Sequence, residues 1–321
     1  MTIRSLSVSL IPSPFMQRLL NDQTLAAAIG WPCSVDAGTI DANSRKMLDG
    51  AIDVAEMSLA TFVKAREEGF PASGLPIFAG RGFPHSEVVV KADAGFRDFS
   101  DLRGKRVGLS QFWTTASVWR RLILSRQYGV RQGEVNWVTV NHERMGSLRL
   151  PPEARQNTSG QTLRELLLAG EIDAIMTIRS RIPGNEGGSN DASLGGLPES
   201  AAAEREYYER THIFPIHHVI VMKQELAEEE PGLVASLCSA FRQAKEAGLS
   251  KALEDPNERP IVDLSPAETR ALFGPDPWPY GVGPNRPALE TFLDDARVQG
   301  LIGRTMGLEE LFPSTLPEEF R

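Results

Sequence analysis

The alternation of short apolar strands with helices constrains the fold of this chain more than any other feature of its sequence. Residues 5–11, 34–38 and 52–57 are runs of strand length, and a segment of helical character follows each of them. Strands that alternate with helices form parallel sheets, in which the helices are the crossover connections. The sequence therefore predicts an α/β fold.

The clearest strand–turn–helix unit spans residues 104–130. Its short apolar strand, 105–109, leads into a polar and aromatic turn. Thr114 or Thr115 is a suitable N-cap for the helix that follows, and Gly129 is a suitable C-cap. Free N–H groups and the positive end of the helix dipole favour an anion at this turn. We expect a small carboxylate there, and a unit without a ligand is the alternative.

The strand–helix units fall into two series, so we predict two lobes with a ligand cleft between them. A chain of 321 residues is long enough for two domains of ordinary size. One lobe is expected to comprise residues 1–90 and 205–321, because the C-terminal helices have few strands of their own. The other is expected to comprise residues 91–204. Strand-like segments at 86–91 and 213–223 would cross between the lobes.

Residues 184–198 are rich in Gly, Ser and Asn and carry no periodic pattern of apolar residues. A segment without apolar anchors has little to hold it against a core. We therefore expect a surface loop or lid that is mobile when no ligand is bound.

Charge and hydropathy narrow the classes of partner. The net charge is −8 and the basic residues are dispersed, so nucleic acid is not an expected partner. No apolar stretch approaches the length of a membrane span. The start of the chain lacks the charged, apolar and small-residue pattern of a leader, so a cytoplasmic protein is expected. Small-molecule binding is the expected activity, and a homo-oligomer is left open.

Several stretches resemble a known family. DLRGKRVG at 101–108 and GEIDAIM at 170–176 resemble the type 2 periplasmic-binding-protein fold. Four more specific stretches together resemble the 4,5-dihydroxyphthalate decarboxylase family, an enzymatic branch of that fold. They are RGFPHS at 81–86, SQFWTTASVWRR at 110–121, YYERTHIFPIHHVIV at 207–221 and DPWPYGVGPNRPALETFL at 276–293. The resemblance runs from about residue 5 to 312, without residues 184–198.

The resemblance implies an intracellular, cofactor-independent carboxy-lyase. Its substrate would be a dihydroxylated aromatic diacid, which loses one carboxylate to leave protocatechuate. Two other functions fit the fold. One is a non-catalytic binding protein for an aromatic or other small carboxylate, and the other is a biosynthetic enzyme acting on a different small carboxylate.

Decarboxylation of an electron-rich arene defines what the protein must supply. A proton is delivered to the ring carbon that bears the carboxylate, a hydroxyl para to that carbon donates electron density, and carbon dioxide leaves. The site needs a proton donor, a clamp for the remaining carboxylate and polar partners for the hydroxyls. A dry pocket also favours the loss of a charged group as a neutral gas.

Histidine is the expected proton donor. His85 ranks first, because it follows a strand end and lies four residues from Arg81. A structural histidine at a hinge is the alternative. His217 and His218 rank second; they are adjacent in an extended run, so they point to opposite faces, and which one faces the cleft is left open.

The expected substrate-binding residues are polar or aromatic groups near strand ends and helix starts. Arg81 and Arg179 each end a predicted strand, and arginine suits bidentate binding of a carboxylate. Surface ion pairs, helix caps and core packing are the alternatives for this group. The remaining candidates are Ser58, Ser110, Gln111, Trp113, Thr114 and Thr115.

A divalent metal is the alternative to cofactor-free chemistry. Histidines near one cleft could bind it with Glu56 or Asp53 as oxygen ligands. The sequence has no His-x-x-x-His pair on a helix, and two adjacent histidines do not easily bind one ion. We therefore expect no metal and no other cofactor.

Overall fold

A computed structural model describes most of the 321-residue chain: residues 5–177, 193–198, 200–255, 261 and 264–321. The chain forms two compact units. Unit 1 comprises Met1–Gly82 and Ile216–Arg321, and unit 2 comprises Phe83–Pro215.

These boundaries differ from the predicted division at residues 90 and 205. The boundaries differ because two segments near them make their contacts within unit 2. The strand Val88–Lys91 pairs within the sheet of unit 2, and the helix Ser200–Thr211 packs against the short 3-10 turn His85–Glu87 of the same unit.

The strands and helices alternate along most of the chain. The strands are β1 Leu6–Leu10, β2 Cys33–Ala37, β3 Val54–Ser58, β4 Ala72–Arg81, β5 Val88–Lys91, β6 Arg106–Leu109, β7 Asn136–Thr139, β8 Ala154–Gln156, β9 Ala174–Met176, β10 Leu194–Gly195 and β11 Ile216–Lys223. The α-helices are α1 Asp22–Ile29, α2 Ile40–Leu48, α3 Leu59–Glu67, α4 Thr115–Tyr128, α5 Leu163–Leu168, α6 Ser200–Thr211, α7 Gln224–Glu229, α8 Pro231–Glu254, α9 Pro266–Phe273 and α10 Arg286–Gln299.

The sheet of unit 1 has the strand order β2-β1-β3-β11-β4. β1 runs parallel to β2 and β3, whereas β11 runs antiparallel to both β3 and β4. The first residues of β11 therefore lie at the edge where β1, β3 and β4 end. At this edge His218 is in register with Ser58 on one side and Gly80 on the other.

The sheet of unit 2 has the order β10-β5-β9-β6-β7-β8. The strands β6, β7, β8 and β9 are parallel neighbours, and β5 is antiparallel to β9 and β10. Apolar residues from these strands, from α5 and from the turn between α5 and β9 form one buried cluster: Val89, Val138, Leu166, Leu167, Ile172, Ile175 and Leu194.

The 104–130 unit folds as its sequence predicts. The side chain of Thr114 caps α4 by accepting a hydrogen bond from the Ser117 N–H group. Gly129 follows the helix with φ +65°, in the left-handed conformation that glycine adopts readily. The strand and the helix of this unit are confirmed.

Side-chain oxygens also fix the starts of the first two helices. The side chain of Thr39 caps α2, which begins at Ile40. A 3-10 turn, Gln17–Leu20, precedes α1, and the side chain of Asn21 caps that helix.

The predicted mobile segment 184–198 lies largely outside the described residues, which resume at Ser193. Of its last residues, Leu194 and Gly195 pair with β5. Among the helices that the structure describes, none is both long and apolar enough to span a bilayer.

We expect Gly108→Ala to destabilise unit 2. A Cβ atom at this position would lie 2.6 Å from Cδ1 of Ile172 and 2.8 Å from Cδ2 of Leu163, so the core must shift to accommodate it. Overpacking of this kind costs roughly 1–3 kcal/mol of unfolding free energy. Urea unfolding followed by circular dichroism measures the loss.

The matched control is Gly133→Ala, where an added Cβ meets no atom within 4 Å. This substitution should change the unfolding free energy by less than about 0.5 kcal/mol. Equal effects of the two substitutions would contradict the close packing around Gly108.

Candidate active site

His218 lies at the edge of the unit 1 sheet where β1, β3 and β4 end. Its ring lies against Gly80, where an added Cβ would be only 2.6 Å from Nδ1 of the imidazole. The side chain is 24% exposed, so it is accessible although it is packed on one side. Glycine at position 80 therefore provides the space that the imidazole occupies.

A buried carboxylate orients this histidine. Nδ1 of His218 lies 2.8 Å from Oε1 of Glu56, a residue of β3 whose side chain is only 3% exposed. The second oxygen of Glu56, Oε2, accepts a hydrogen bond of 3.1 Å from the Ile11 N–H group, just beyond β1. Both oxygens of the carboxylate are thus engaged, and the ring nitrogen Nε2 is the one directed away from Glu56.

Arg81 is anchored at the same edge by the segment 276–285. Its Nη2 donates to the carbonyl oxygen of Pro279 at 2.9 Å and to Oδ1 of Asn285. Asn285 is buried and donates to the carbonyl oxygens of Pro279 and Gly281 at 2.9 and 2.7 Å. The turn at 278–281 and Asn285 therefore fix the guanidinium.

Tyr280 lies within the same segment and is buried. Burial raises the pKa of its hydroxyl. The positive charge of Arg81 lowers this pKa, and the negative charge of Glu56 raises it. Within the described part of the chain, this hydroxyl has no hydrogen-bond partner. Trp278 is held nearby, because its Nε1 donates to the carbonyl oxygen of Phe78 at 2.7 Å.

The other predicted residues of unit 1 lie around His218. Ser58 is buried at the start of α3 and is the register partner of His218. His217 is half-buried, and an added Cβ on Gly82 would lie 3.6 Å from its Cε1. The structure thus brings Ser58, Arg81, His217 and His218 to one edge of a single sheet.

His85 occupies a different environment in unit 2. It has no exposed surface, its Nε2 lies 2.9 Å from Oε1 of Gln127, and its ring packs against Phe99, Tyr128 and Tyr207 at centroid distances of 5.6, 6.4 and 5.7 Å. Burial lowers the pKa of the imidazole to about 4. This environment fits a structural histidine, which is the alternative for His85.

The turn before α4 binds a carboxylate, as its sequence suggests, but the carboxylate belongs to the chain itself. The N–H groups of Phe112 and Trp113 donate to the two oxygens of Glu143 at 2.7 and 3.1 Å. Burial raises the pKa of this carboxyl group, while the two hydrogen bonds and the charge of Arg121 act in the opposite direction. Glu143 therefore fills the place expected for a bound ligand.

Several predicted contacts in this turn serve its packing. Nε2 of Gln111 donates to the carbonyl oxygen of His142 at 2.5 Å, and Nε1 of Trp113 donates to that of Arg149 at 2.9 Å. Thr115 is buried in the first turn of α4. The buried guanidinium of Arg121 stacks on the ring of Phe112 at 3.8 Å.

A polar pocket of about 470 Å³ lies at the edge of the unit 2 sheet. Ser110, Asn141, Asn157 and Thr177 line it, and each follows the end of one of the four parallel strands. Arg164 also lines the pocket. Ligands of open α/β sheets bind outside the carboxyl ends of the strands, so Ser110 occupies a suitable position for a substrate contact.

Two predictions about this chemistry remain untested. Arg179 lies outside the described residues. Among the described residues, no group of three or more His, Cys, Asp or Glu side chains could hold a metal ion. Cofactor-free chemistry stays a prediction.

Sequence reasoning missed Glu56 as the partner of His218, Asn285 as the partner of Arg81, and Glu143 as the internal carboxylate. One signal was available for the first of them. Glu56 lies inside the apolar strand sequence VAEMS, and a carboxylate in a buried strand requires a hydrogen-bonding partner. The identity of that partner depends on strand pairing.

We expect His85 to make stability dependent on pH. The native pKa of about 4 is below the ordinary value of 6.5, so the unfolded state binds the proton more readily. Stability should fall by about 3 kcal/mol as the pH falls from about 6.5 to about 4. His85→Gln should flatten this part of the stability profile, whereas His142→Gln, at an exposed position, should leave it unchanged. Urea midpoints across this range test the expectation, and a slope unaltered by His85→Gln would refute it.

We expect Glu143→Ala to create an anion site. The substitution leaves the N–H groups of Phe112 and Trp113 without their acceptor, which costs roughly 1–3 kcal/mol of stability. Acetate should raise the melting temperature of this variant more than that of the native protein, because a ligand that binds only the folded state stabilises it.

The control for this experiment is Glu165→Ala. Glu165 also accepts a backbone hydrogen bond, of 2.7 Å from Thr162, but it is exposed to solvent. Water can replace its carboxylate, so acetate should have no specific effect on this variant. Melting temperatures in sodium acetate and sodium chloride of equal ionic strength distinguish the two outcomes.

The chain is similar in sequence to one protein-family model and to two proteins of known name. A family model described as an ABC transporter, phosphonate, periplasmic substrate-binding protein matches residues 23–180. A protein of Comamonas testosteroni named 4,5-dihydroxyphthalate decarboxylase is 33% identical over 280 residues, covering 84% of each chain. A protein of Pseudomonas putida with the same name is 31% identical over 160 residues, covering 47% of this chain and 62% of the relative.

Solved structures share the fold at low sequence identity. The periplasmic aliphatic sulphonate-binding protein SsuA of Escherichia coli has a TM-score of 0.56 at 13% identity, covering 96% of this chain and 91% of its own. The alkanesulfonate-binding protein SsuA of Xanthomonas axonopodis pv. citri, bound to MOPS, has a TM-score of 0.55 at 14% identity, covering 98% of both chains. The predicted periplasmic-binding-protein-like α/β fold is confirmed. Because the Comamonas relative exceeds 30% identity over most of both chains, the chain belongs to the 4,5-dihydroxyphthalate decarboxylase family.

Proposed function

We propose that this protein is a carboxy-lyase that removes one carboxylate from a hydroxylated aromatic acid without a cofactor. The substrate class is a 4,5-dihydroxyphthalate-like diacid, and the product is protocatechuate. The observation that carries the proposal is the 33% identity to a 4,5-dihydroxyphthalate decarboxylase over 84% of both chains. The histidine and arginine at one sheet edge of unit 1 supply the chemistry that this reaction requires.

His218 is the proposed proton donor. Its imidazolium delivers a proton from Nε2 to the ring carbon that bears the departing carboxylate. The hydroxyl para to that carbon donates electron density, which stabilises the protonated ring. The carbon–carbon bond then breaks, its electron pair returns to the ring, and carbon dioxide leaves. Histidine suits this role, because an imidazole can regain a proton near neutral pH.

Arg81 is the proposed clamp for the carboxylate that remains on the ring. It is paired in register with Ile216, two residues before His218. Its attachment to Pro279 and Asn285 holds the guanidinium in one orientation. A fixed guanidinium binds a carboxylate with less loss of side-chain entropy than a mobile one does.

The polar pocket of unit 2 is a further candidate for substrate contacts. Ser110, Asn141 and Asn157 offer hydroxyl and amide groups that suit ring hydroxyls. Trp113 and Thr115 are buried and take part in packing. We therefore assign substrate contact in this region to Ser110 ahead of Trp113 and Thr115.

A non-catalytic carboxylate-binding protein is the second candidate. The match of residues 23–180 to a periplasmic substrate-binding family favours it. The two candidates differ in turnover. Release of carbon dioxide from 4,5-dihydroxyphthalate without added cofactor supports the lyase, whereas calorimetric binding of the diacid without any turnover supports the binding protein.

We expect His218→Gln to reduce turnover by roughly 10²- to 10⁴-fold, the usual contribution of a general acid. Glutamine retains a polar side chain but cannot deliver a proton as an imidazolium does. Protocatechuate formation, followed by absorbance, measures kcat, and melting temperatures monitor folding.

His142→Gln provides the control, because this histidine is exposed and is not one of the residues at the sheet edge that carries His218 and Arg81. It should retain native turnover. If His218→Gln also remains fully active, while the native protein decarboxylates the diacid, the proton must come from another group. His217→Gln and His85→Gln then identify which one.

A further inference from the structure

We infer that Glu56 is the positioning residue of this site: it holds the Nδ1–H group of His218, so that only Nε2 exchanges a proton with the substrate. The inference rests on the proposed function for its catalytic meaning. Its structural content, the placement of one proton on one ring nitrogen, can be measured in the absence of substrate.

The hydrogen-bonding capacity of the carboxylate determines where this proton lies. An ionised carboxylate has only acceptors, and the Ile11 N–H group that faces Oε2 can only donate. Nδ1 of His218 faces the other oxygen at 2.8 Å. A ring nitrogen at that distance from an acceptor must carry a hydrogen, because two facing lone pairs repel. Beside an ionised carboxylate the neutral ring is therefore the Nδ1–H tautomer, in which Nε2 carries the lone pair.

The same sheet contains a second carboxylate built in the same way. Asp53, just before β3, pairs with Nζ of Lys223 in β11 at 2.8 Å and accepts a hydrogen bond from the Ser7 N–H group at 3.0 Å. Its side chain is 3% exposed, like that of Glu56, and Lys223 is 25% exposed, like His218.

Comparison of the two carboxylate contacts distinguishes a structural role from a positioning role. At Asp53 the chain uses the single amino nitrogen of Lys223, which suffices to tie β11 to β3. At the edge where β1, β3 and β4 end, the group that faces the carboxylate is an imidazole, which has a second nitrogen. Linking the strands does not require that second nitrogen, whereas proton delivery does.

The arrangement also simplifies proton transfer. When the imidazolium gives its Nε2 proton to the ring carbon, the proton that remains is already on Nδ1 and already bonded to Glu56. No second proton has to move, and the neutral ring keeps its orientation. A positioning carboxylate of this kind acts through the histidine and does not itself contact the substrate.

Glu56→Gln provides the test, because the amide preserves the shape of the side chain. The Ile11 N–H group still requires an acceptor, so the amide oxygen should occupy the Oε2 position. The NH2 group then faces Nδ1 and donates to it, which moves the proton of the neutral ring to Nε2. Nitrogen-15 NMR of the histidine rings distinguishes the two tautomers, and His218→Gln assigns the signal among the five histidines.

The expected results are specific. In the native protein without substrate, the neutral ring of His218 should be the Nδ1–H tautomer. In Glu56→Gln it should be the Nε2–H tautomer, and kcat should fall at least about 10-fold but no more than the acid itself contributes, roughly 10² to 10⁴. The Michaelis constant should change little, because Glu56 does not contact the substrate.

Asp53→Asn is the matched control. Asp53 is as deeply buried as Glu56, and its carboxylate links residues of β1 and β11 as that of Glu56 links Ile11 and β11, so its loss should lower stability to a similar extent. The substitution should leave the His218 tautomer unchanged and reduce kcat far less than Glu56→Gln does. If kcat falls equally in the two variants, Glu56 has only a structural role and the inference is wrong.

The outcomes separate this inference from the proposed function. An Nε2–H tautomer in the native protein overturns the inference directly, even if the Glu56→Gln variant fails to fold. An unchanged tautomer in a folded Glu56→Gln variant also overturns it. If the native protein shows the Nδ1–H tautomer but decarboxylates no hydroxylated aromatic acid, the proposed function fails while the hydrogen-bond assignment stands.

Discussion

The antiparallel insertion of β11 between β3 and β4 is the constraint on which the architecture of unit 1 depends. With this strand the chain re-enters the unit after residues 83–215, and its central residues, 219–222, are fully buried. Because β11 runs against its neighbours, its first residues lie where β1, β3 and β4 end. His218 and Arg81 therefore meet at one edge, although 137 positions separate 81 from 218 in the sequence.

Buried carboxylates in this protein satisfy backbone N–H groups as well as cations. Glu56 accepts from Ile11, Asp53 accepts from Ser7, and Glu143 accepts from two N–H groups in the turn before α4. An N–H group without an acceptor is costly in the interior, so each carboxylate fixes a loop or strand end as well as a partner side chain. The same chemistry that would bind a carboxylate substrate is thus used repeatedly within the chain.

Local rules explain which parts of this structure could be predicted from sequence. The helix α4, a threonine cap at 114 or 115 and the terminator Gly129 depend on residues a few positions apart and follow from the sequence, and the structure identifies Thr114 as the cap. The hydrogen-bond partner of His218 does not follow from local sequence, because His218 and Glu56 are 162 positions apart and are brought together only by sheet pairing. His85 ranked first for its nearness to Arg81 in sequence, yet the boundary between the two units falls after Gly82 and places His85 in an aromatic core.

The fold shared with sulphonate-binding proteins does not by itself separate binding from catalysis. An anion-binding site needs only fixed donors, and a guanidinium such as that of Arg81 keeps its charge throughout. A decarboxylase also needs a group that loses a proton and regains it during each turnover. In unit 1 the two ends of β11 show the difference, since Lys223 pairs with Asp53 at one end and His218 pairs with Glu56 at the other. At the edge where the parallel strands end, an imidazole in place of an amine leaves a second nitrogen beside the carboxylate contact, and the proposed proton transfer requires that nitrogen.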